Sequence, residues 1–165
     1  MSGPAQSNPV PIDSPDRRRL PPLLRRAWYS LNQAFRRRIA HTGATPDQFT
    51  ALRSLTESDT RGITQGELAR LMSSDPNTIA SLLERMEKAG WVKRLKHEQD
   101  RRAYRIRITA TGRKLHSQLR DIAIELQSQV LDILPENERE SFLVKLTLVA
   151  DACREVARKS PRKSE

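Results

Sequence analysis

Cysteine is almost absent from this 165-residue sequence and long apolar runs are wholly absent, and each shortage excludes a class of protein. The single cysteine, Cys153, excludes an intrachain disulfide framework and is typical of a protein from a reducing compartment. No apolar run approaches the roughly 20 residues that a membrane-spanning helix needs, and the N-terminus lacks the apolar segment of a signal peptide. We therefore expect a soluble, cytoplasmic protein that does not associate with a membrane.

Glycine and histidine are also scarce, which argues against an enzyme, a cofactor site or a metal site. The 6 glycines form no phosphate-binding loop, and no Ser/His/Asp or Cys/His set clusters along the chain. The 3 histidines, His41, His97 and His116, include no pair at the i, i+4 spacing that puts two metal ligands on one helix face. The sequence thus predicts a protein without catalysis, cofactor or metal.

Acidic residues are outnumbered, since 30 lysines and arginines stand against 20 aspartates and glutamates. The formal net charge of +10 indicates a polyanionic partner, either nucleic acid or an anionic membrane face, with plain solubility as the alternative. Aromatic residues make up only 4% of the chain, so few side chains are available to stack on the bases of single-stranded RNA.

The spacing of apolar residues predicts long helices at both ends of the chain. Residues 1–20 are rich in proline and predict a disordered tail that ends in the basic cluster Arg17 to Arg19, and residues 159–165 predict a frayed tail. Helical periods extend over 22–42 and over 110–158, with a break at Pro135. We expect these amphipathic helices to form a homodimerisation region. The alternative is that they cover the chain's own core.

Residues 45–109 predict a winged helix-turn-helix lobe with a two-stranded wing, in a protein that is mainly α (α+β). Thr64 and Glu67 predict a capping box, and Ser74 or Asp75 caps a second short helix that ends at Gly90. Many such helix pairs do no more than pack. Apolar residues alternate with arginines over 104–108, which predicts a strand, and the stretch WVKRL is its expected antiparallel partner.

The second helix of this pair carries a polar face that suits the major groove of DNA. Its opposite face is apolar and must pack inward. Asparagine can pair with adenine, arginine with guanine, and serine or threonine with base edges or phosphate. An ordinary solvated helix face is the alternative. The residues predicted to contact DNA from the turn and the helix are Ser74, Asn77, Thr78, Ser81 and Arg85.

The predicted hairpin is strongly basic and provides a second DNA contact. Between positions 91 and 107 it holds seven lysines and arginines but only two acidic residues, Glu98 and Asp100. Arginines at the tip of such a wing can enter the minor groove, where a narrow A·T stretch concentrates negative potential. The wing residues predicted to contact DNA are Arg94, Arg101 and Arg102, and Asp100 is expected to orient one of these arginines.

The stretch LARLMSSDPNTIASLLERMEKAGWVKRLKHEQDRRAYRIRITATGRKL resembles the core of the MarR family of winged-helix regulators. The matching motifs are EKAGWV at 87–92, DRR at 100–102, and Ile108-Thr109 followed by Gly112. The resemblance implies a bacterial or archaeal homodimer that represses or activates transcription, with Arg102 in the minor groove. Two-fold symmetry then places half-sites about one helical turn apart in a near-palindromic operator.

The resemblance also implies an effector pocket between the dimer interface and the DNA-binding lobe, for a small aromatic acid or a phenol. The pocket residues it points to are Trp28, Tyr29, His41, Phe49, Arg53 and Arg113, and either Arg53 or Arg113 would meet a carboxylate. As alternatives, the Trp and Phe are ordinary core residues and the His is a cap or surface residue.

The predicted function is therefore that of a sequence-specific double-stranded DNA-binding regulator. We expect a homodimeric repressor whose DNA binding responds to a small aromatic effector. The alternative is a non-specific architectural nucleic-acid-binding protein without an effector. The groove-sized helix face and the wing favour the regulator, as does the near absence of aromatic side chains that could stack on bases.

Overall fold

The computed structural model describes residues 14–15, 17–96 and 104–160. This part of the chain forms six α-helices and three β-strands, with a short 3₁₀ helix, Ala40–Thr42, after the first α-helix. The helices are α1 Leu20–Ile39, α2 Pro46–Glu57, α3 Gln65–Leu71, α4 Pro76–Lys88, α5 Ala110–Leu131 and α6 Glu136–Lys159. The strands are β1 Ile63–Thr64, β2 Val92–Lys96 and β3 Tyr104–Ile108. The predicted winged helix-turn-helix architecture is confirmed.

Side-chain caps fix where the short helices begin. The Thr64 hydroxyl accepts a hydrogen bond from the backbone N–H of Glu67 at 3.2 Å, and the Glu67 carboxylate accepts one from the Thr64 N–H at 2.7 Å. This is the predicted capping box. It lowers the pKa of Glu67, chiefly through the hydrogen bond from the Thr64 backbone. Thr45 and Gln48 form a second such box at the start of α2.

The three strands form one antiparallel sheet in the order β1-β3-β2. The pairs Val92–Ile108 and Ile63–Ile106 set its register and turn these apolar side chains inward. The two-residue strand β1 is an addition to the predicted two-stranded wing. It depends on Gly62, whose φ is +91° and whose added Cβ would lie 2.5 Å from the Ile106 carbonyl oxygen. No other residue type allows β1 to approach β3 so closely.

The chain divides into two compact units, Met1–Ile122 and Ala123–Glu165. The first unit has a core to which helices α1 to α5 and the sheet all contribute. Its largest fully buried side chains are Ile39, Leu52, Leu68, Ile79, Leu83, Met86, Ile106 and Leu119. The end of α1 and the first half of α5 therefore do cover the chain's own core. Each such side chain stabilises the fold by roughly 1.5–3 kcal/mol, and together they hold the apolar face of α4 in place.

The second unit contains the last part of α5 and all of α6, separated at Pro135 as predicted. No residue of α6 is buried, and the apolar residues on it that are most exposed are Phe142, Val144, Leu146, Leu148 and Val156. None of the helices that the structure describes is long and apolar enough to cross a membrane. The predicted disordered tail lies largely outside the described residues, as does most of the predicted frayed tail.

Candidate nucleic-acid interface

Asp75 fixes the first turn of α4. Its carboxylate accepts hydrogen bonds from the backbone N–H groups of Asn77 at 3.0 Å and Thr78 at 2.9 Å, and its other oxygen accepts one from the Thr78 hydroxyl. The bond from the Thr78 hydroxyl is the main reason that the pKa of Asp75 is lowered. Pro76, which has no N–H to lose, occupies the first helical position. The helix therefore starts at one defined residue.

The turn between α3 and α4 is held by bonds to both helices. The backbone N–H of Ser74 donates to the Ala69 carbonyl at 2.9 Å, and the Gln65 side chain donates to the Pro76 carbonyl at 3.1 Å. Of the two caps that the sequence offered, Asp75 is the one used. Ser74 lies half-buried in the turn just before it. These bonds fix the angle at which α4 leaves α3.

The four residues predicted to read DNA from α4 share its exposed face. We call Asn77, Thr78, Ser81 and Arg85 the reading face; all four are exposed, whereas the opposite side of the helix is buried. Arg85 has no acidic partner among the described residues, and its Nε donates only to the Ser81 carbonyl at 3.3 Å. Lys88, by contrast, is paired with Glu84 at 2.7 Å. Arg85 is therefore the cation on α4 that lacks a carboxylate partner among the described residues.

The stem of the wing concentrates positive charge on its exposed surface. Lys93 and Arg107 lie directly opposite each other on β2 and β3, and both are exposed. Like charges at such a cross-strand position destabilise a sheet unless an anion lies between or above them. The predicted tip residues Arg101 and Arg102, together with Asp100, lie outside the described residues.

Two other basic residues of the wing are engaged within the protein. Arg94, predicted to contact DNA, places its Nε 3.3 Å from a Glu87 carboxylate oxygen and so ties β2 to α4. Arg105 is half-buried and donates to the Gly62 carbonyl at 2.9 Å. The count of basic residues in the hairpin therefore overstates the charge that it presents outward.

A backbone junction, which we call the joint, connects the end of α4, the start of β2 and the start of α5. The Thr109 hydroxyl donates to the Gly90 carbonyl at 2.7 Å and accepts from the Gly112 N–H at 3.0 Å. A Cβ on Gly112 would overlap the carbonyl oxygen of Trp91. In the sequence, Thr109 and Gly112 are marked only as parts of a family motif. Their contacts give them a structural role, because they set the position of the wing relative to the reading face.

Phe49 lies at the centre of an aromatic cluster that joins α1, α2 and α5. Its ring centroid is 5.1 Å from that of Phe35 and 5.7 Å from that of His116, which it stacks at 19°. The Arg53 guanidinium lies over the same ring at 5.9 Å. Burial lowers the pKa of His116, and no described group bonds to its buried Nε2. Nothing in the sequence marks His116 as a member of this cluster, because no local pattern reveals a contact between distant helices.

The other predicted effector residues lie apart from this cluster. Trp28 and Tyr29 are 62% and 64% exposed on α1, and His41 is exposed in the 3₁₀ helix. Arg113 lines a separate small recess together with Asp59 and Arg107. The single chain thus brings together Phe49 and Arg53 and leaves the remaining four elsewhere.

Comparisons with known proteins give consistent results. The model of the MarR family matches residues 44–104. The chain is 29% identical over 126 residues to the transcriptional regulator HosA of Escherichia coli. The matched segment covers 73% of this chain and 92% of HosA. Its fold is similar to that in the Staphylococcus aureus MepR–DNA complex, with a TM-score of 0.75, 24% identity, and coverage of 82% of this chain and 99% of that one. A probable transcriptional regulator from Pseudomonas aeruginosa gives a TM-score of 0.70 at 30% identity, covering 77% of this chain and 93% of that one.

Proposed function

The chain belongs to the MarR family of transcriptional regulators, and from this premise we propose that it is a homodimeric repressor. It binds a specific double-stranded DNA operator, and a small aromatic effector modulates that binding. The observation that carries the proposal is the reading face. Short hydrogen-bonding side chains and one uncommitted arginine lie exposed together on a helix whose start and angle are fixed.

The reading face lies in the major groove with the N-terminal part of α4 nearest the bases, as in the usual docking mode of the second helix of this motif, and Arg85 extends from the last turn of the helix. Asn77 and Arg85 are suited to paired hydrogen bonds with adenine and guanine, and Ser81 to a base edge. Thr78 already donates both its hydroxyl and its backbone N–H to Asp75, so it offers DNA only acceptor capacity toward a donor on a base edge, and the phosphate contact is left to Ser74. The similar fold of MepR in a complex with DNA supports this mode of docking.

The wing supplies contacts that depend little on sequence. The opposed cations Lys93 and Arg107 become favourable when a phosphate backbone lies against them. Arg101 and Arg102 are assigned to the minor groove. Arg94 contributes mainly by holding β2 against α4 through Glu87, so that helix and wing meet adjacent grooves together.

Homodimerisation is supported by apolar side chains that the single chain leaves exposed. The apolar residues of α1 that are most exposed are Leu20, Leu23, Leu24, Trp28, Tyr29 and Leu31, and α6 has no buried residue at all. A second copy that covers both surfaces removes them from water. We assign dimerisation to residues 22–42 and 110–158, and DNA binding to residues 45–109. The two-fold axis then pairs two reading faces on a near-palindromic operator.

The effector site is assigned to the cluster around Phe49. An aromatic acid can stack beside this ring, pair its carboxylate with Arg53, and hydrogen-bond to the unpartnered Nε2 of His116. The remaining predicted residues belong to this site only where the second protomer contributes them. They are Trp28, Tyr29, His41 and Arg113. Because α2 and α5 both contribute to the core that supports α4, a ligand wedged there can alter the placement of the reading face.

The experiment that tests the proposal compares Arg85→Ala with Lys88→Ala by fluorescence anisotropy on a library of single-base operator variants. Both changes remove one exposed cation from the same helix, but only Arg85 lacks a carboxylate partner. We expect Arg85→Ala to lose about 1–3 kcal/mol of discrimination at one position of each half-site. Lys88→Ala should weaken binding to all sequences alike. If the two variants showed the same dependence of binding on operator sequence, the placement of α4 in the major groove would be wrong.

A further inference from the structure

Positive charge is concentrated on an arm of the first unit that the unit's own core does not cover. Every residue of 20–31 is exposed, and the first buried side chain of α1 is Phe35. Residues 17–31, which we call the arginine arm, contain five arginines and no acidic residue. Arg25 and Arg26 have no ion-pair partner within the described residues. Arg25 and Arg26 therefore place two like charges close together, which is costly unless an anionic group lies against them.

Negative charge is concentrated at the corner where α5 gives way to α6. Residues 132–140, which we call the acidic corner, contain four acidic residues and one arginine. That arginine, Arg139, is already paired with Asp132 at 3.0 Å. Glu136, Glu138 and Glu140 are exposed, and the ion pairs of the described residues leave all three without a cation. The acidic corner is therefore the complement in charge of the arginine arm.

The arginine arm also has a concave surface on which such a segment can rest. A shallow cleft of about 480 Å³ lies at the start of α1 and is lined by Pro15, Arg17, Arg19, Pro22, Leu23 and Arg26. It combines cations with apolar side chains. The acidic corner has the same mixture, since Ile133 beside its carboxylates is 84% exposed.

We propose that, in the homodimer, the arginine arm of each protomer receives the acidic corner of its partner. The inference rests on the proposed homodimer and deepens it, because it states what selects the pairing and its register. Apolar burial supplies most of the affinity, whereas the charges select the correct partner and speed its approach. Two-fold symmetry makes the contact twice in every dimer.

Duplex DNA is the alternative partner for the arginine arm. The charges of the two segments favour a second copy of the chain over DNA. DNA would pair with Arg25 and Arg26 but leave the three glutamates without a cation, whereas a second copy pairs both sets at once. The two segments also carry exposed apolar residues, Leu24 and Trp28 on one and Ile133 on the other, which a protein partner covers and a phosphate backbone does not. Acidic residues in the first turn of α6 also interact favourably with the helix dipole. That interaction is local to α6 and does not involve the arginine arm.

A charge-reversal experiment with the full chain tests the inference. The first variant carries Arg25→Glu and Arg26→Glu. The second carries Glu138→Lys and Glu140→Lys, and of the two acidic residues in the first turn of α6 it keeps Glu136, where a negative charge stabilises the helix. Each variant alone should dimerise about tenfold more weakly than the parent at low salt, measured by sedimentation velocity, because every dimer then opposes like charges twice.

Mixing the two variants gives the decisive result. In the heterodimer, both contacts again join opposite charges, so native mass spectrometry should find heterodimers well above the statistical share of about half. The matched control, Arg70→Glu with Lys96→Glu, makes the same charge change at two exposed positions of α3 and β2, outside the region assigned to dimerisation, and should dimerise like the parent. Circular dichroism verifies that each variant is folded.

Three outcomes would overturn the inference. One is that both variants dimerise as tightly as the parent. Another is a statistical mixture of weakened dimers, which would mean that the charges meet within one chain. The third is a loss of DNA affinity in the arginine variant with unchanged dimerisation, which would assign the arm to DNA. A parent protein that is itself monomeric would instead refute the proposed function.

Discussion

Replacing Gly112 by alanine tests the role of the joint. Gly112 lies in the first turn of α5, where an added Cβ would overlap the Trp91 carbonyl oxygen and lie 2.9 Å from Cγ1 of Ile108 and 3.0 Å from the Trp91 carbonyl carbon. The main obstacle is backbone, so no flexible side chain can swing aside. The start of α5 must shift, which weakens the bond from the Gly112 N–H to the Thr109 hydroxyl.

The expected cost lies at the upper end of what overpacking produces, about 3 kcal/mol in the free energy of unfolding. Urea unfolding at one fixed protein concentration measures it, since association would otherwise change the apparent stability. Gly66→Ala is the matched control, because nothing lies within 4 Å of its added Cβ on α3. The control should be neutral or stabilising by about 0.5–1 kcal/mol. If Gly112→Ala stayed within about 0.5 kcal/mol of the parent, the joint would not be the tight junction described above.

Two further predictions follow from single side chains. Because burial lowers the pKa of His116 from its ordinary 6.5, the unfolded chain binds more protons below that pH. The contribution of His116 to the free energy of unfolding is therefore fully present above about pH 6.5, and it is lost as the pH drops toward the lowered pKa of the folded state. His116→Phe should flatten this decline in urea unfolding between about pH 7.5 and 5.5, and an unchanged decline would contradict the assignment. Glu87→Gln removes a negative charge near the DNA, yet it should weaken operator binding by up to about fivefold, because Arg94 loses the partner that orients the wing. Tighter binding would show that Arg94 acts mainly on phosphate.

Much of the fold was predictable because its signals are local. Apolar periodicity placed α1, α5 and α6, the Thr64–Glu67 spacing marked the start of α3, and Ser74 or Asp75 marked that of α4 to within one residue. The alternation over 104–108 placed β3. Strand β1 was missed because two residues are too few to show an alternation. It exists only because Gly62 lets the backbone approach Ile106.

The candidate site was predictable in part for the same reason. Helical spacing alone puts the reading face on one side of α4. The partners of individual side chains depend on tertiary contacts, and no local pattern reveals them. Thus Arg94 and Arg105 look alike in the sequence, yet one is bound to Glu87 and the other to the Gly62 carbonyl. His116 was likewise invisible as a neighbour of Phe49, because α2 and α5 are far apart in the chain.

The most direct test of sequence reading by α4 is a salt titration of the dimer on its operator and on a scrambled duplex of equal length and composition. The operator can be taken from a footprint on the promoter that flanks the protein's own gene. If the reading face makes base contacts, the operator should remain bound at about 0.15 M salt with an affinity at least about 10³-fold above the scrambled duplex. If the affinities for the two duplexes fall equally, with no preference at any salt concentration, the protein binds only the phosphate backbone and the reading face makes no sequence-specific contact.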